Sequence, residues 1–164
     1  MATTSTETRN TSAPVRTLIR ALNACIETCM DGEKGFAIAA AEVRDPRLKK
    51  MLISRSTERA DFMGELQRLV VALGGFPENE GTARGALHRS WMTIGRVLAG
   101  RNDAFYLEEC IRGERAAMHD YEAALRRAHV ETLTPALQGL VRSQYESVRQ
   151  SLEALLSWRP AVAH

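Results

Sequence analysis

Four long apolar stripes at helical spacing, most of them bounded by proline or glycine, leave this chain little choice but to pack helix against helix. From Arg16 to about Arg44, Leu18, Leu22, Cys25, Cys29, Phe36, Ala39 and Val43 recur in heptad phase, flanked by Ile19, Ile26 and Ala40. Such a stripe marks the buried face of an amphipathic helix. Asp31-Gly32-Glu33-Lys34-Gly35 inside it has the composition of a turn, and each interior glycine costs roughly 1 kcal/mol relative to alanine. The stripe resumes in phase at Phe36, so the helix is expected to run through, with Gly32 facing inward where a neighbouring helix can approach.

Asp45-Pro46 supplies a cap and a first-turn proline for a second helix. Its stripe is Leu48, Leu52, Phe62, Leu66, Leu69 and Leu73, and Gly74-Gly75 closes it. Residues 75–101 form a long connection with a shorter amphipathic stretch, Leu87, Trp91, Ile94 and Leu98. Asn102 or Asp103 is expected to cap a third long helix, with Leu107, Ile111, Met118, Tyr121 and Leu125 inward. Thr134-Pro135 opens a fourth, with Leu137, Leu140, Val141, Val148, Leu152 and Leu155 inward. Two tight hairpins joined by a long connection match an all-α, ferritin-like antiparallel four-helix bundle with a short extra helix in that connection. A simple meander with one added short helix is the alternative.

The chain has 164 residues, enough for one well-formed core and too few for two comfortable domains. Residues 1–15 are Thr/Ser-rich and read as a disordered arm, residues 16–158 as one domain, and residues 159–164 as a tail. The net charge of +2 arises from large, nearly balanced acidic and basic sets, so a nucleic-acid partner is not expected. No apolar run has the length to span a bilayer, and the first residues have no signal-peptide core, so no membrane partner is expected either. Three cysteines without a paired framework suit a reducing compartment, and the expected location is the cytoplasm. A homodimer or a protein partner is compatible with such a bundle.

The informative residues are those that interrupt the stripes. Glu33 lies on the flank of the first, Arg55 and Arg59 occupy the middle of the second with Glu58 at its edge, and Glu114 is central in the third. In the fourth, Gln144 falls between Val141 and Val148 with Tyr145 beside it. All sit near mid-length, which predicts one polar layer through the bundle. Buried charge is costly unless paired and hydrogen-bonded, and carboxylates facing guanidinium groups offer that pairing. The layer is therefore expected to be a Glu/Arg/Gln ionic network, with no catalytic residue and no cofactor. The alternative is a site for iron or manganese built from Glu33, Glu58, Asp61 and Glu114, with Gln144 as a further donor, in an oxidoreductase or iron-handling protein.

At these residues the chain resembles a bacterial family of ferritin-like four-helix-bundle proteins known as a domain of unknown function. The resemblance rests on Cys29-Met-Asp31-Gly32-Glu33-Lys-Gly35-Phe36 and Arg55-Ser56-Thr-Glu58-Arg59-Ala60-Asp-Phe62. It continues in Gly85-Ala-Leu87-His88-Arg89-Ser90-Trp91 and Glu109-Cys110-Ile-Arg-Gly113-Glu114, with Tyr121 and Gln144-Tyr145, and runs from about Arg16 to Trp158. It implies the ferritin-like fold and carries no settled biochemical role. A stress-related or accessory role follows from fold analogy alone. Ferritin-like di-iron sites use a Glu on two helices and a Glu-x-x-His pair on the other two. Glu33 and Glu114 match the single glutamates. The Glu-x-x-His pairs are absent, replaced by Glu58-Arg-Ala-Asp61 and Gln144-Tyr-Glu146.

His119 is turned away from the inward face, His129 falls near the end of the third helix, and His164 is terminal. His88 and Trp91 could cap a small-ligand crevice under the connecting helix. Cys25, Cys29 and Cys110 are expected to be buried, inert thiols. No nucleophile–base constellation, phosphate loop or dinucleotide fingerprint is present.

Overall fold

The computed structural model describes residues 12–78, 102–130 and 134–159. Within these, every regular element is an α-helix: α1 (Ala13–Glu42), α2 (Pro46–Ala72), α3 (Asp103–Val130) and α4 (Pro135–Ser157). The short helix expected in the connection, with Leu87, His88, Trp91, Ile94 and Leu98, lies outside the described residues. No described helix is long and apolar enough to cross a membrane.

α1 runs unbroken through Gly32 and Gly35, because the apolar face that continues at Phe36 outweighs two unfavourable helix residues. It opens at Ala13, inside the segment assigned to the N-terminal arm, since Pro14 fits the first turn where no intrahelical N–H is needed. Between α1 and α2, the Asp45 carboxylate accepts from the backbone N–H groups of Arg47 and Leu48. The Leu48 N–H, with that of Arg47, holds the Asp45 carboxyl below its ordinary value. α2 closes where Gly74 adopts a φ of 79°, a conformation that favours glycine. At Gly75 an added Cβ would come within 2.8 Å of the Ile19 side chain, so the chain needs glycine to turn against α1.

α1 packs against α2 and α3, α3 packs against α4, and α2 meets α4 at fewer points. Hydrogen bonds mark which residues of these helices stand opposite one another. Asn23 of α1 bonds the backbone at Phe76 and Glu78, whereas the Glu33 carbonyl accepts from Ser56. Glu42 accepts from Tyr106 while Thr28 donates to Asp120. On α3 and α4, Glu114 faces Ser151 and the Ala128 carbonyl accepts from Gln138. Asp103 does not cap its own helix, a task done by Asn102, whose Oδ1 accepts from the Phe105 N–H. The Asp103 carboxylate instead reaches the Arg44 and Asp45 N–H groups, 2.9 Å each, and so ties the α1–α2 turn to the start of α3.

On α3 and α4 the sequence expectation holds for Tyr121, Val141, Val148 and Leu155 and is corrected at the other apolar positions, which flank the buried face. Tyr106, Cys110, Glu114, Ala117, Tyr121, Ala124 and Ala128 are buried on α3, while Leu107, Ile111, Met118 and Leu125 lie half-buried along its flanks. On α4, Val141, Gln144, Val148, Ser151 and Leu155 are buried, and Leu137, Leu140 and Leu152 are flanking. Small side chains at the centre of a helix face let a neighbour come close, and larger ones then seal the edges. A stripe read by its leucines is therefore displaced from a seam built on alanine, serine and polar groups.

Asp103→Ala removes an ionised acceptor from two backbone donors and is expected to cost about 1–3 kcal/mol in urea unfolding. Asn102→Ala, which loses only a local cap, is expected to cost less, and the reverse order would show that the Asp103 tie is dispensable.

Candidate functional site

Where the stripes are interrupted, the core divides. One apolar cluster contains Leu18, Leu22, Cys25, Leu66 and Val141, another Phe36, Val43, Leu48, Leu52 and Leu155. Between them lies a buried ion pair. Arg59 of α2, 1% exposed, donates from Nη2 to both carboxylate oxygens of Glu114 of α3, 2% exposed, at 2.7 and 2.9 Å. The Ser151 hydroxyl of α4 donates to the same carboxylate at 2.6 Å. Arg59 Nη1 donates to Glu58 at 3.3 Å, and Glu58 also accepts from Arg55 at 3.1 Å and from Ser147. Two guanidinium groups and two carboxylates thus cancel in charge across α2 and α3, with two serines of α4 closing the set.

The Arg59 guanidinium lies 5.3 Å from the centroid of the Phe62 ring and 5.9 Å from that of Phe36, both within cation–π range. Its stem passes under Gly32, where an added Cβ would stand 3.2 Å from Cγ and 3.3 Å from Cδ. The small residue foreseen as a helix-approach point therefore makes room for an arginine side chain. Burial pushes the Glu114 carboxyl above its ordinary value, while Arg59 and Ser151 pull the other way.

A second tier lies about 10 Å along α3, two turns from Glu114. There the Tyr121 hydroxyl donates to Gln144 Oε1 at 2.7 Å, and Gln144 Nε2 donates to Glu65 at 2.7 Å. The Cys29 thiol meets the same hydroxyl at 3.3 Å. The single polar layer expected from the sequence is thus two. Gln144 belongs to the second tier. Tyr145 stands on the flank, its hydroxyl donating to Glu122 at 3.2 Å. Glu33 is half-buried, and its carboxylate takes no part in either tier among the described residues. Ser147, Ser151, Glu65 and the Tyr121 hydroxyl were absent from the sequence-based set. Ser151 is three residues after Val148 and four before Leu155, an inward phase that could have revealed it.

The metal alternative finds a poor donor set. Asp61 is exposed, Glu33 is apart, and Glu58 and Glu114 both face the Arg59 guanidinium. Among the described residues, no group of three or more His, Cys, Asp or Glu side chains is placed to hold a metal ion. His119 is exposed. His88, Trp91 and the side chain of His129 lie outside the described residues, as does His164. A cavity of about 360 Å³ does open elsewhere, between α1 and α3 over the ion pair, with Phe36 and Tyr106 among its walls.

Burial pushes the Cys29 thiol up to about 11, Cys110 up to about 12, and Cys25 upward as well. All three are free and buried, so they carry their protons at neutral pH. A disulfide-exchange reagent at pH 8 is expected to find no reactive thiol in the native chain and three after denaturation. Fast native labelling would contradict the burial of all three.

Glu114→Gln leaves Arg59 without its full counter-charge and is expected to cost about 3–5 kcal/mol in urea unfolding. The double replacement Arg59→Met/Glu114→Leu removes both charges and is expected to cost far less, or to stabilise. Equal losses in the two would mean that packing, not charge pairing, dominates this site.

No curated protein matches the chain. The sequence profile of the family described as a domain of unknown function (DUF2383) matches residues 17–127, which carry Cys29, Gly32, Arg59, Glu114 and Tyr121. Since that match takes in most of the chain and both partners of its buried ion pair, the chain belongs to the DUF2383 family, a domain of unknown function.

Proposed function

We propose that this chain is a bacterial, cytoplasmic, ferritin-like antiparallel bundle that works without redox catalysis, its centre taken by an arginine–glutamate network where di-iron relatives of the fold keep metal. The opposed numbering of contacts in every packed helix pair supports the antiparallel plan. The start of α3 is tied through Asp103 to the α1–α2 turn, whereas Glu78, after α2, bonds Asn23 in the opposite half of α1, and these separated ends support a crossover. That crossover is the ferritin-like arrangement.

The observation that carries the reading is the place of Arg59. Its guanidinium stands between Glu58 and Glu114, where a cation bridging those carboxylates would have to sit. A divalent metal there would meet fixed positive charge and a donor set without histidine, which suits neither iron binding nor oxygen chemistry. What remains is a scaffold or binding role, with a protein partner or a second copy as its counterpart.

Elemental mass spectrometry after anaerobic Fe(II) or Mn(II) loading and desalting tests this. Background metal is expected in the native chain and in Glu58→Ala/Glu114→Ala alike. Near-stoichiometric metal that disappears in the double variant would overturn the ionic-centre reading in favour of an iron- or manganese-handling protein.

A further inference from the structure

The ion pair is not sealed on every side. The cavity of about 360 Å³ between α1 and α3 has Arg59 and Glu114 at its floor, Phe36, Ala39 and Ala117 among its walls, and Gly113 at its edge. We infer that this cavity binds a small, neutral, largely apolar molecule of one- to two-ring size that carries a hydroxyl group.

Size is the first argument. A cavity of about 150 Å³ accommodates benzene, so this one has room for two fused rings. Pockets of this order that bind small molecules are mostly apolar with a few convergent polar groups, which describes the walls and the floor here.

The floor selects the polar group. Arg59 is held by Glu114, and with Arg55 and Glu58, which do not line the cavity, the four charges cancel, while Asp31 on the α1 side of the cavity is engaged as well. The floor is therefore a dipole without net charge. A ligand anion would compete with Glu114 for Arg59, and a ligand cation would compete with Arg59 for Glu114. Either would lose its water without gaining an unshared counter-ion. A hydroxyl both donates and accepts, so it can meet the dipole without disturbing the pair. At the rim, Arg112 and Glu109 are already paired with each other, which leaves that guanidinium engaged.

Gly113 supplies an independent observation. It lies in the middle of α3, on exposed backbone, with no left-handed conformation to justify a glycine. A Cβ there would touch nothing within 4 Å, so no neighbouring helix requires the missing side chain either. An interior glycine weakens a helix, and here its visible consequence is an unobstructed cavity edge.

The test is calorimetric titration of the full chain at pH 7 with 2-naphthol, 2-naphthoate and 2-naphthylmethylamine. Saturable one-to-one binding of the naphthol is expected, with both charged isosteres weaker by about tenfold or more. Gly113→Leu and Ala116→Leu each place bulk at an exposed position on the cavity edge. At least one is expected to weaken naphthol binding about tenfold with Tm unchanged or raised. No saturable binding by the naphthol, preference for a charged isostere, or binding unchanged in both variants would overturn the inference. The inference rests on the ionic-centre reading, and metal analysis of the same sample separates the two. Stoichiometric metal sinks that reading, whereas absent naphthol binding in metal-free protein sinks only this one.

Discussion

A guanidinium group held by a carboxylate in the middle of an otherwise apolar core governs how these helices meet. Arg59 and Glu114 come from α2 and α3, and Ser151 of α4 donates to the same carboxylate. α1 contributes Gly32, the position over which the Arg59 stem passes, and Phe36, one of two rings near its charge. Each of the four helices is thereby committed at one level. A buried pair of this kind gains little net stability over apolar side chains of similar volume, but leaving either member alone is expensive. Its effect is to penalise other registers, because sliding α2 against α3 by a turn would strand a charge, while sliding α1 or α4 would lose the space at Gly32 or the Ser151 hydroxyl.

The rest of the interior follows from that commitment. The apolar clusters on either side hold no ionised pair, and the second polar tier solves a milder problem with neutral groups, apart from Glu65 at its outer end. Tyr121, Gln144 and Cys29 satisfy one another in a chain of hydrogen bonds, and burial keeps both the phenol and the thiol protonated. No buried side-chain nitrogen or oxygen among the described residues lacks a partner. A fully satisfied polar interior rigidifies a fold, whereas one unpaired group would weaken it.

The same economy of space explains the seam between α1 and α3. Ala117, Ala124 and Ala128 line the centre of α3, and the leucines and methionine that dominate its sequence pattern stand aside. Near Gly113 the seam opens into the cavity over the ion pair. Packing is thus close toward one end of α3 and looser near its middle, where the buried ion pair borders the cavity.

Local chemistry determined the four described helices and both ends of α2. Asp45-Pro46 caps and starts α2 because a carboxylate accepts orphan N–H groups and proline needs none, and Gly74 ends it because only glycine takes a positive φ without strain. The continuity of α1 through two glycines was readable from the phase of its stripe, and so was the inward position of Arg59 and Glu114. Helical phase could not decide which carboxylate each arginine would take, that Glu33 would stand apart, or that Gln144 would join Tyr121 two turns away from Glu114. Those outcomes depend on how far each helix rotates and slides against its neighbours. A rotation of one residue exchanges a leucine for an alanine at the seam while leaving the periodicity intact. Periodicity records which side of a helix is inward, and only the tertiary structure decides which groups are close enough there to share a proton or a charge.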